Sequence, residues 1–351
     1  MSIQEKTILV TGGAGFIGSN FIKLILNQEI NYRILNLDEL TYAGNIKNLK
    51  DIEDNPKYKF IRGNICDRDL VEDVFKENRP DVVVNFAAES HVDRSIEDPR
   101  AFLDTNIIGT YSLLEIARKC WDLSGNNHQQ LINRFIQVST DEVYGELGEE
   151  GYFIEETPLA PNSPYSASKA SGDMLARSYY RTYGLPVIIT RCSNNYGPYQ
   201  FPEKLIPLMI SNALEDRELP VYGNGLNVRD WIYVEDHCRG VLKVINNGKI
   251  GEVYNFGSNN EEKNIEIVKI ILNALDKPES LIKYVEDRPG HDRRYAIDAS
   301  KAKKELGWEP LVDFEKGIKR TIQWYIDNQE WWQEIKSGEY LKYYDRMYKG
   351  R

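Results

Sequence analysis

Two adjacent carboxylates follow an apolar run near the middle of the chain. Residues 138–145 read VSTDEVYG, so the hydroxyl of Thr140 is followed directly by Asp141 and Glu142. Open α/β sheets bind ligands beyond the carboxyl ends of their strands, and neighbouring carboxyl groups can differ in proton affinity when their surroundings differ. The pattern therefore favours one acid and one base in a single site, although these residues could also simply begin a loop.

Three glycines lie between the first apolar run, at 7–10, and the first segment with helical spacing. Gly12, Gly15 and Gly18 lack side chains that would keep backbone amides and a helix N-terminus away from a pyrophosphate. Asp38 follows about twenty residues later, at the end of the second predicted strand, where a ribose-binding acid is expected. We predict a dinucleotide site, with a tight structural turn as the alternative. Because a carboxylate would repel a 2′-phosphate, NAD is favoured over NADP.

A tyrosine and a lysine form a second chemical pair. In YSASK at 165–169, Tyr165 and Lys169 are four residues apart and fall on one face of a predicted helix. A nearby cation and a positively charged nicotinamide would favour the phenolate of a tyrosine, whose ordinary pKa is about 10, and make it a usable base. The alternative is an ordinary pair on a helix surface, but the upstream glycine motif favours the catalytic role.

Strand and helix patterns alternate along the first half of the chain, which predicts the elements that position these residues. Apolar runs at 7–10, 33–37, 82–87, 134–139 and 187–189 are typical of buried strands. We predict an α/β fold, with a Rossmann-type doubly wound parallel sheet and a smaller, mixed α/β substrate-binding domain. We also expect a polar loop at 125–130 and an irregular, ligand-approaching loop at 194–207.

The change of composition at Asn194 suggests how the chain is divided. We assign residues 1–193, together with about 230–258, to a domain that binds NAD. We assign residues 194–229 and 259–351 to the substrate-binding domain. The boundaries after 194 depend on the chain crossing between domains more than once.

Charge and composition exclude several classes of function. The formal net charge of −10 argues against a general nucleic-acid or membrane surface. The four cysteines and four histidines are dispersed without a CxxC pair, so we expect no metal site and no disulfide framework. Since neither a secretory leader nor an apolar run of about 20 residues is apparent, we expect a cytoplasmic protein.

The motifs together resemble a known family. TGGAGFIG at 11–18, the Tyr165/Lys169 pair, and Thr140 just before VYG are similar to the extended short-chain dehydrogenase/reductases that act on nucleotide sugars. The closer resemblance, to the dTDP-glucose 4,6-dehydratase family, covers nearly the whole chain. It is carried by residues 40–45, 87–95, 139–145, 192–199, 201–205, 228–231 and 287–295.

This resemblance implies a reaction in which NAD is recycled. The residue matching Tyr165 takes the proton of the C4 hydroxyl while hydride passes from C4 to NAD, with Lys169 on the nicotinamide ribose and Thr140 on O4. Glu142 then removes the C5 proton as Asp141 protonates the departing C6 hydroxyl. Hydride returns to C6, so dTDP-glucose becomes a 4-keto-6-deoxy sugar.

The resemblance also implies two sets of binding residues. The cofactor set is Gly12, Gly15, Phe16, Ile17, Gly18, Asp38, Thr41, Asn64, Ile65, Ala87, Ala88, Thr105, Tyr165 and Lys169. The nucleotide-sugar set is Ser90, Thr140, Asn194, Lys204, Leu205, Pro220, Tyr222, Arg229, Asn264, Arg288, His291 and Tyr348, with Lys204, Arg229 and Arg288 as the partners of the pyrophosphate.

Some of these assignments have ordinary alternatives. Asn264 could be only a helix N-cap, and Arg293 and Arg294 could simply pair with acids. Asn64 departs from the family pattern, in which many relatives have an aspartate that accepts a hydrogen bond from the adenine amino group. The amide oxygen of Asn64 can still accept that bond, so we expect altered cofactor affinity without loss of function.

Our leading hypothesis is a homodimeric, NAD-retaining 4,6-dehydratase of dTDP-glucose. The resemblance places the dimer interface on the helices near 103–117 and 165–180. One rival is a dehydratase of another nucleotide sugar, such as UDP-glucose. A same-fold epimerase or decarboxylase typically lacks the Asp-Glu pair, and a non-catalytic NAD-sensing regulator could dispense with both the tyrosine and the acids.

Overall fold

The computed structural model describes residues 5–28, 31–123, 133–337 and 339–348. The loop predicted at 125–130 lies outside these residues. The strands are β1 Lys6–Thr11, β2 Tyr32–Asp38, β3 Tyr58–Arg62, β4 Val82–Asn85, β5 Arg134–Thr140, β6 Val187–Cys192, β7 Asn194–Tyr196, β8 Leu219–Tyr222, β9 Val228–Tyr233, β10 Val253–Phe256, β11 Glu261–Lys263 and β12 Ile282–Val285.

Helices of very different length connect these strands. They are α1 Phe16–Leu26, α2 Arg68–Asn78, α3 Val92–Glu97, α4 Arg100–Leu103, α5 Thr110–Cys120, α6 Pro164–Tyr183, α7 Leu205–Leu214, α8 Val234–Asn247, α9 Asn264–Ala274, α10 Ser300–Leu306, α11 Phe314–Asp327, α12 Gln329–Ile335 and α13 Glu339–Tyr348. Short 3₁₀ segments occur at Ile46–Ile52, Asp141–Tyr144 and Glu279–Leu281, and a π-helical segment, Asp104–Gly109, joins α4 to α5.

The largest sheet is parallel and has the order β10-β6-β5-β4-β1-β2-β3. Along each strand, successive side chains point to opposite faces of the sheet and so enter two different apolar cores. Val10 belongs to the apolar core that includes residues of α1, α8 and α10, whereas Leu9 belongs to the core that includes residues of α2, α5 and α6. Helices therefore cover both faces of the sheet, which explains the nearly continuous apolar strands and confirms the predicted Rossmann-type fold.

Three buried polar side chains cross the centre of this sheet. The Thr11 hydroxyl donates to Asn85 Oδ1 at 2.7 Å, and Asn85 Nδ2 donates to Gln137 Oε1 at 2.9 Å. These residues belong to β1, β4 and β5, which are neighbouring strands. Because buried polar groups must be paired, the hydrogen bonds favour one alignment of the three strands.

A second apolar core lies in the C-terminal half of the chain. Two small sheets, β11-β9-β7 and β12-β8, contribute to it together with α7, α9 and α11. The chain returns to the large sheet through α8 and β10, while β9 belongs to the small one. The division into domains stays a prediction.

The irregular loop predicted at 194–207 is partly wrong. Residues Asn194–Tyr196 form β7, which pairs in parallel with β9, and α7 already begins at Leu205. Packing of the fully buried Tyr196 ring against Trp231 and Tyr233 outweighs the turn-like local composition. Within the described part of the chain, no helix has the length and apolar character needed to cross a membrane.

Candidate active site

A cavity of about 290 Å³ opens at the carboxyl ends of β1, β4, β5 and β6. The whole predicted cofactor set lines it, from Gly12 to Lys169. So do the acid pair and four members of the predicted nucleotide-sugar set, namely Ser90, Thr140, Asn194 and Lys204. The fold thus brings the predicted chemical groups together at the edge where parallel sheets bind ligands.

The glycine turn gives the cavity one backbone wall. Gly12 has a φ of +69°, and a Cβ there would lie 2.6 Å from the backbone nitrogen of Ala87. Gly15 caps α1 without any side-chain hydrogen bond to the first amides of the helix. Those amides remain as donors beside the cavity, and the positive end of the helix dipole favours an anion there.

Asp38 closes the same wall at the end of β2. Its Oδ2 accepts a hydrogen bond from the Ala14 amide and its Oδ1 from the Leu40 amide, both at 2.8 Å. Burial raises the pKa of Asp38, while the two backbone bonds act against that rise. Each oxygen retains a lone pair, so this anchored carboxyl group can still accept a bond from a ribose hydroxyl.

Asn64 lines the cavity after β3, but its amide oxygen already has a partner. Asn64 Oδ1 accepts a bond from the Cys66 backbone amide at 2.7 Å, which makes a tight local turn. A carboxylate at position 64 could accept the same bond. Asparagine and aspartate at position 64 can therefore support the same local backbone conformation.

The two acids lie where β5 passes into a 3₁₀ segment. Thr140 caps this segment, since its Oγ1 accepts from the Glu142 amide at 3.3 Å, and its hydroxyl lies 3.2 Å from Asp141 Oδ1. Asp141 is 1% exposed, and its Oδ2 has no hydrogen-bond partner among the described residues. An unpaired buried oxygen of this kind is costly in stability and is typical of a group kept for chemistry.

The surroundings separate the proton affinities of these acids. Burial, followed by the charges of Glu142 and Asp230, raises the pKa of Asp141 well above its ordinary value. Burial also raises the pKa of Glu142, but Arg288, Arg229 and Lys204 act against that rise. Asp141 is therefore suited to donate a proton and Glu142 to accept one.

Helix α6 brings Tyr165 and Lys169 to the same cavity. The helix begins at Pro164 with a capping box between Ser163 and Ser166, so its first turn is held firmly. Tyr165 and Thr140 line the same cavity, and the Thr140 side chain acts to lower the pKa of Tyr165. Lys169 Nζ donates to the Val138 carbonyl oxygen at 2.7 Å.

The protein's own groups favour the neutral phenol of Tyr165. Burial, and then the charge of Glu142, raises the pKa of Tyr165 well above its ordinary value. Burial also lowers the pKa of Lys169. Lys169 is not among the groups with the largest effect on the pKa of Tyr165, so a bound ligand cation would add to the field that favours the phenolate.

Eight residues of the predicted nucleotide-sugar set do not line the cavity: Leu205, Pro220, Tyr222, Arg229, Asn264, Arg288, His291 and Tyr348. Several of them form a second cluster beside Glu142. The Tyr222 ring lies 6.1 Å from the rings of both His291 and Tyr348. Arg229 and Arg288 influence the pKa of Glu142, so this cluster adjoins the acid pair.

The other three of the eight lie on elements of the second core. Leu205 begins α7, Pro220 belongs to β8, and Asn264 is the first residue of α9. The helix-cap alternative for Asn264 is wrong, because Lys263 occupies the N-cap position. The buried Oδ1 of Asn264 is unpaired among the described residues.

Pairing with an acid, the alternative role proposed for Arg293 and Arg294, holds for Arg294 only. Arg294 pairs with both oxygens of Glu261, at 2.5 and 2.8 Å. The Arg293 side chain instead donates to Asn224 Oδ1 at 3.2 Å. Neither residue lines the cavity.

Some lining residues were missed by sequence reasoning. Cys192 is the last residue of β6 and Asn195 belongs to β7; both line the cavity, and Asn195 Nδ2 donates to Cys192 Sγ at 3.2 Å. Glu89 follows β4 and also lines the cavity. Their positions at or just beyond strand ends were the signal available from the sequence. Among the described residues, no group of three or more His, Cys, Asp or Glu side chains could hold a metal ion.

A dinucleotide-type turn, a Tyr-Thr-Lys group and a split acid pair in one cavity define a nucleotide-sugar-modifying member of the short-chain dehydrogenase/reductases. Comparisons with known proteins place the chain more narrowly. The family model described as GDP-mannose 4,6 dehydratase matches residues 9–321. A dTDP-glucose 4,6-dehydratase of Xanthomonas campestris pv. campestris is 56% identical and aligns over 95% of this chain and 97% of its own.

Solved structures agree with that placement. A dTDP-glucose 4,6-dehydratase of Bacillus anthracis in complex with NAD is 55% identical, with a TM-score of 0.86 over 94% of this chain and 100% of its own. Another, from Streptomyces venezuelae with NAD and dTDP bound, is 46% identical, with a TM-score of 0.89 over the same shares. The chain belongs to the dTDP-glucose 4,6-dehydratase family.

Proposed function

We propose that this protein is an NAD-dependent enzyme that converts dTDP-glucose into dTDP-4-keto-6-deoxyglucose and water. The relatives that carry this activity in their names support the substrate and the cofactor. The observation that carries the reaction type is the pair Asp141 and Glu142. Both carboxyl groups line one cavity with Thr140 and Tyr165, and cations oppose the rise in the pKa of Glu142 while the charge of Glu142 adds to the rise in the pKa of Asp141. Loss of water needs one group that accepts a proton from the sugar and a second group that donates a proton to the departing hydroxyl.

The first half of the reaction is the oxidation of C4. Tyr165 takes the proton of the C4 hydroxyl, and Thr140 holds the oxygen of that hydroxyl in place. A bound NAD would supply the hydride chemistry, from C4 and later to C6. Lys169, held by the Val138 carbonyl oxygen, orients the nicotinamide ribose and adds positive charge near the tyrosine.

The second half of the reaction is the elimination of water. A ketone at C4 acidifies the hydrogen on C5, and Glu142 removes it. Asp141 supplies a proton to the departing C6 hydroxyl, a role that burial and the charge of Glu142 favour by raising its pKa. Glu142, which then holds the proton taken from C5, can return it there once C6 is reduced.

The nucleotide part of the substrate needs local positive charge in an acidic chain. We assign its diphosphate to Lys204, Arg229 and Arg288, which all lie close enough to affect Glu142. Tyr222, His291 and Tyr348 form an aromatic group in which the base could stack. These ligand roles are part of the proposal.

The direct test is turnover of dTDP-glucose by the purified protein, with mass spectrometry of the product. We expect loss of one water and formation of a 4-keto-6-deoxy sugar, with no net consumption of NAD. Parallel assays with UDP-glucose address the nearest rival, since the expected enzyme prefers the dTDP sugar. An epimerised product of unchanged mass, or no reaction at all, would refute the assignment.

We also propose that the protein acts as a homodimer in the cytoplasm. Leu103, Ile108 and Met174 are large apolar side chains that are 44, 50 and 59% exposed on α4, the π-helical segment and α6. Exposed apolar residues on neighbouring helices are typical of an association surface. Replacing Ile108 and Met174 by Glu should give a monomer in light scattering; wild-type protein that is already monomeric would contradict the dimer.

A further inference from the structure

Asp93 is a buried carboxylate that holds two residues of the predicted nucleotide-sugar set. Its Oδ1 accepts a hydrogen bond from Arg288 Nη1 at 3.1 Å, and its Oδ2 accepts one from the Tyr222 hydroxyl at 3.0 Å. Asp93 is only 3% exposed. It does not line the cavity, and neither the family resemblance nor the geometry of the acid pair assigns it a role.

These contacts join distant parts of the chain. Asp93 belongs to the first turn of α3, which follows β4 of the large sheet. Tyr222 ends β8 of the two-stranded sheet, and Arg288 follows β12 of that sheet. The side chain of Asp93 is short and accepts hydrogen bonds from both Tyr222 and Arg288. It therefore restricts where these two side chains can lie relative to the large sheet.

Arg288 has N–H donors that its hydrogen bond to Asp93 does not use. Arg288 Nε is buried and unpaired among the described residues, although Nη1 is bonded to Asp93. A guanidinium presents five N–H donors in a fixed fork, so one carboxylate does not exhaust it. Arg288 is also the cation with the largest effect on the pKa of Glu142, so its charge acts on both Asp93 and the candidate base.

His91 completes the surroundings of Asp93. Its Nδ1 lies 4.0 Å from Asp93 Oδ2 and 3.4 Å from the Tyr343 hydroxyl of α13. Its Nε2 lies 3.4 Å from the Glu203 carbonyl oxygen. Burial lowers the pKa of His91, so the permanent positive charge next to Asp93 is that of Arg288.

We propose that Asp93 is a positioning residue for the diphosphate of the substrate, acting by holding Arg288 and Tyr222 against the large sheet. This proposal rests on the proposed function, because the diphosphate is that of the nucleotide sugar. Asp93 itself touches no reacting atom. It sets where Arg288 meets the diphosphate, and therefore how the sugar lies relative to Glu142.

The test is a double-mutant cycle on the NAD-loaded protein, with dTDP as the ligand. We expect Asp93→Asn to weaken dTDP binding and raise the KM for dTDP-glucose about 10- to 100-fold, since it removes one partner of a buried charge pair. The kcat at saturating substrate should change far less. Arg288→Met should weaken binding by a similar factor, and the double variant should be no worse than Arg288→Met alone.

Glu215→Gln is a control for loss of a partly buried ion pair away from the cavity. Glu215 Oε2 accepts from the largely buried Lys336 Nζ at 2.6 Å, and neither residue lines the cavity. This variant should lower the unfolding temperature without changing dTDP affinity. If Asp93→Asn does not fold, Asp93→Glu keeps the charge but displaces the oxygens, and we expect it to raise KM more than it lowers kcat.

Several outcomes would overturn the positioning role. One is wild-type dTDP affinity in a folded Asp93→Asn variant, or in Asp93→Glu if only that variant folds. Another is full additivity of the Asp93 and Arg288 effects. Failure of the proposed function would look different, since the wild-type protein itself would then neither bind dTDP nor dehydrate dTDP-glucose.

Discussion

Replacing Glu142 by Gln should separate the two halves of the reaction. The variant keeps the size of the side chain but cannot accept the C5 proton. It also removes the charge that ranks next to burial in raising the pKa of Tyr165. Oxidation at C4 should therefore proceed at least as readily as before, whereas elimination should nearly stop.

The size of the effect follows from what each step loses. A positioned general base contributes about 10²- to 10⁴-fold, so elimination should slow by that factor, which corresponds to about 3 to 5 kcal/mol of activation free energy. Oxidation loses no contact, because Thr140 and Tyr165 stay in the same cavity and Lys169 stays bonded to the Val138 carbonyl oxygen. Reduced nicotinamide should accumulate to nearly one equivalent per site.

Single-turnover absorbance of the reduced cofactor, with mass spectrometry of the sugar, would measure both steps. Glu146→Gln is a matched control, since Glu146 lies nearby in sequence but does not line the cavity; it should leave both rates unchanged. If Glu142→Gln dehydrated the sugar at the wild-type rate, Glu142 would not be the C5 base. If oxidation stopped as well, the division of labour between Tyr165 and the acid pair would be wrong.

Three further predictions concern stability, the glycine turn and pH. The raised pKa of Asp141 means that folding takes up a proton, so its contribution to stability falls as pH rises above the unfolded value of about 4. Asp141→Asn should thus raise the unfolding temperature at neutral pH, with a gain that shrinks toward pH of about 4 in thermal scans; a constant gain would contradict this. Gly12→Ala should cost about 1–3 kcal/mol in denaturant unfolding, because of its positive φ and its contact with Ala87. The added methyl of Gly15→Ala meets only the Gly12 carbonyl oxygen, at 3.3 Å, so this variant should keep the fold but weaken NAD binding in calorimetry. If Gly12→Ala and Gly15→Ala lost the same stability, the positive φ of Gly12 and its contact with Ala87 would not explain the loss. Arg288→Met removes the leading cation that lowers the pKa of Glu142, so the acidic limb of the kcat profile should move to higher pH; an unmoved limb would exclude Glu142 as the group that titrates there.

The sequence was informative where chemistry depends on position along a strand. The strand-end rule located Asp38, Thr140 and the acid pair, and all of them line one cavity. Helical spacing placed Tyr165 and Lys169 on one face, which the structure also shows. These inferences work because a parallel sheet gathers the carboxyl ends of its strands at one edge.

Interactions between distant residues were not readable in the same way. Local composition at 194–207 indicated an irregular loop, yet burial of Tyr196 against aromatic side chains of β9 made a strand. The pairing of Asp93 with Arg288 spans 195 positions, and no local pattern announces it. The proton affinities of Asp141 and Glu142 depend on arginines that only folding brings near.

The hydrogen-bonded row of Thr11, Asn85 and Gln137 bears on how this protein can change over time. Strands advance about 3.3 Å per residue, so a slip of one position would misplace a whole functional segment and leave buried amides unpaired. The glycine turn follows β1, Ala87 and Ala88 follow β4, and the acids follow β5. The row therefore fixes the register of the three strands that carry the cofactor-binding and acid-bearing segments. Loops exchanged between relatives should be tolerated far more easily than a lone replacement in this row, whose members should vary together or not at all.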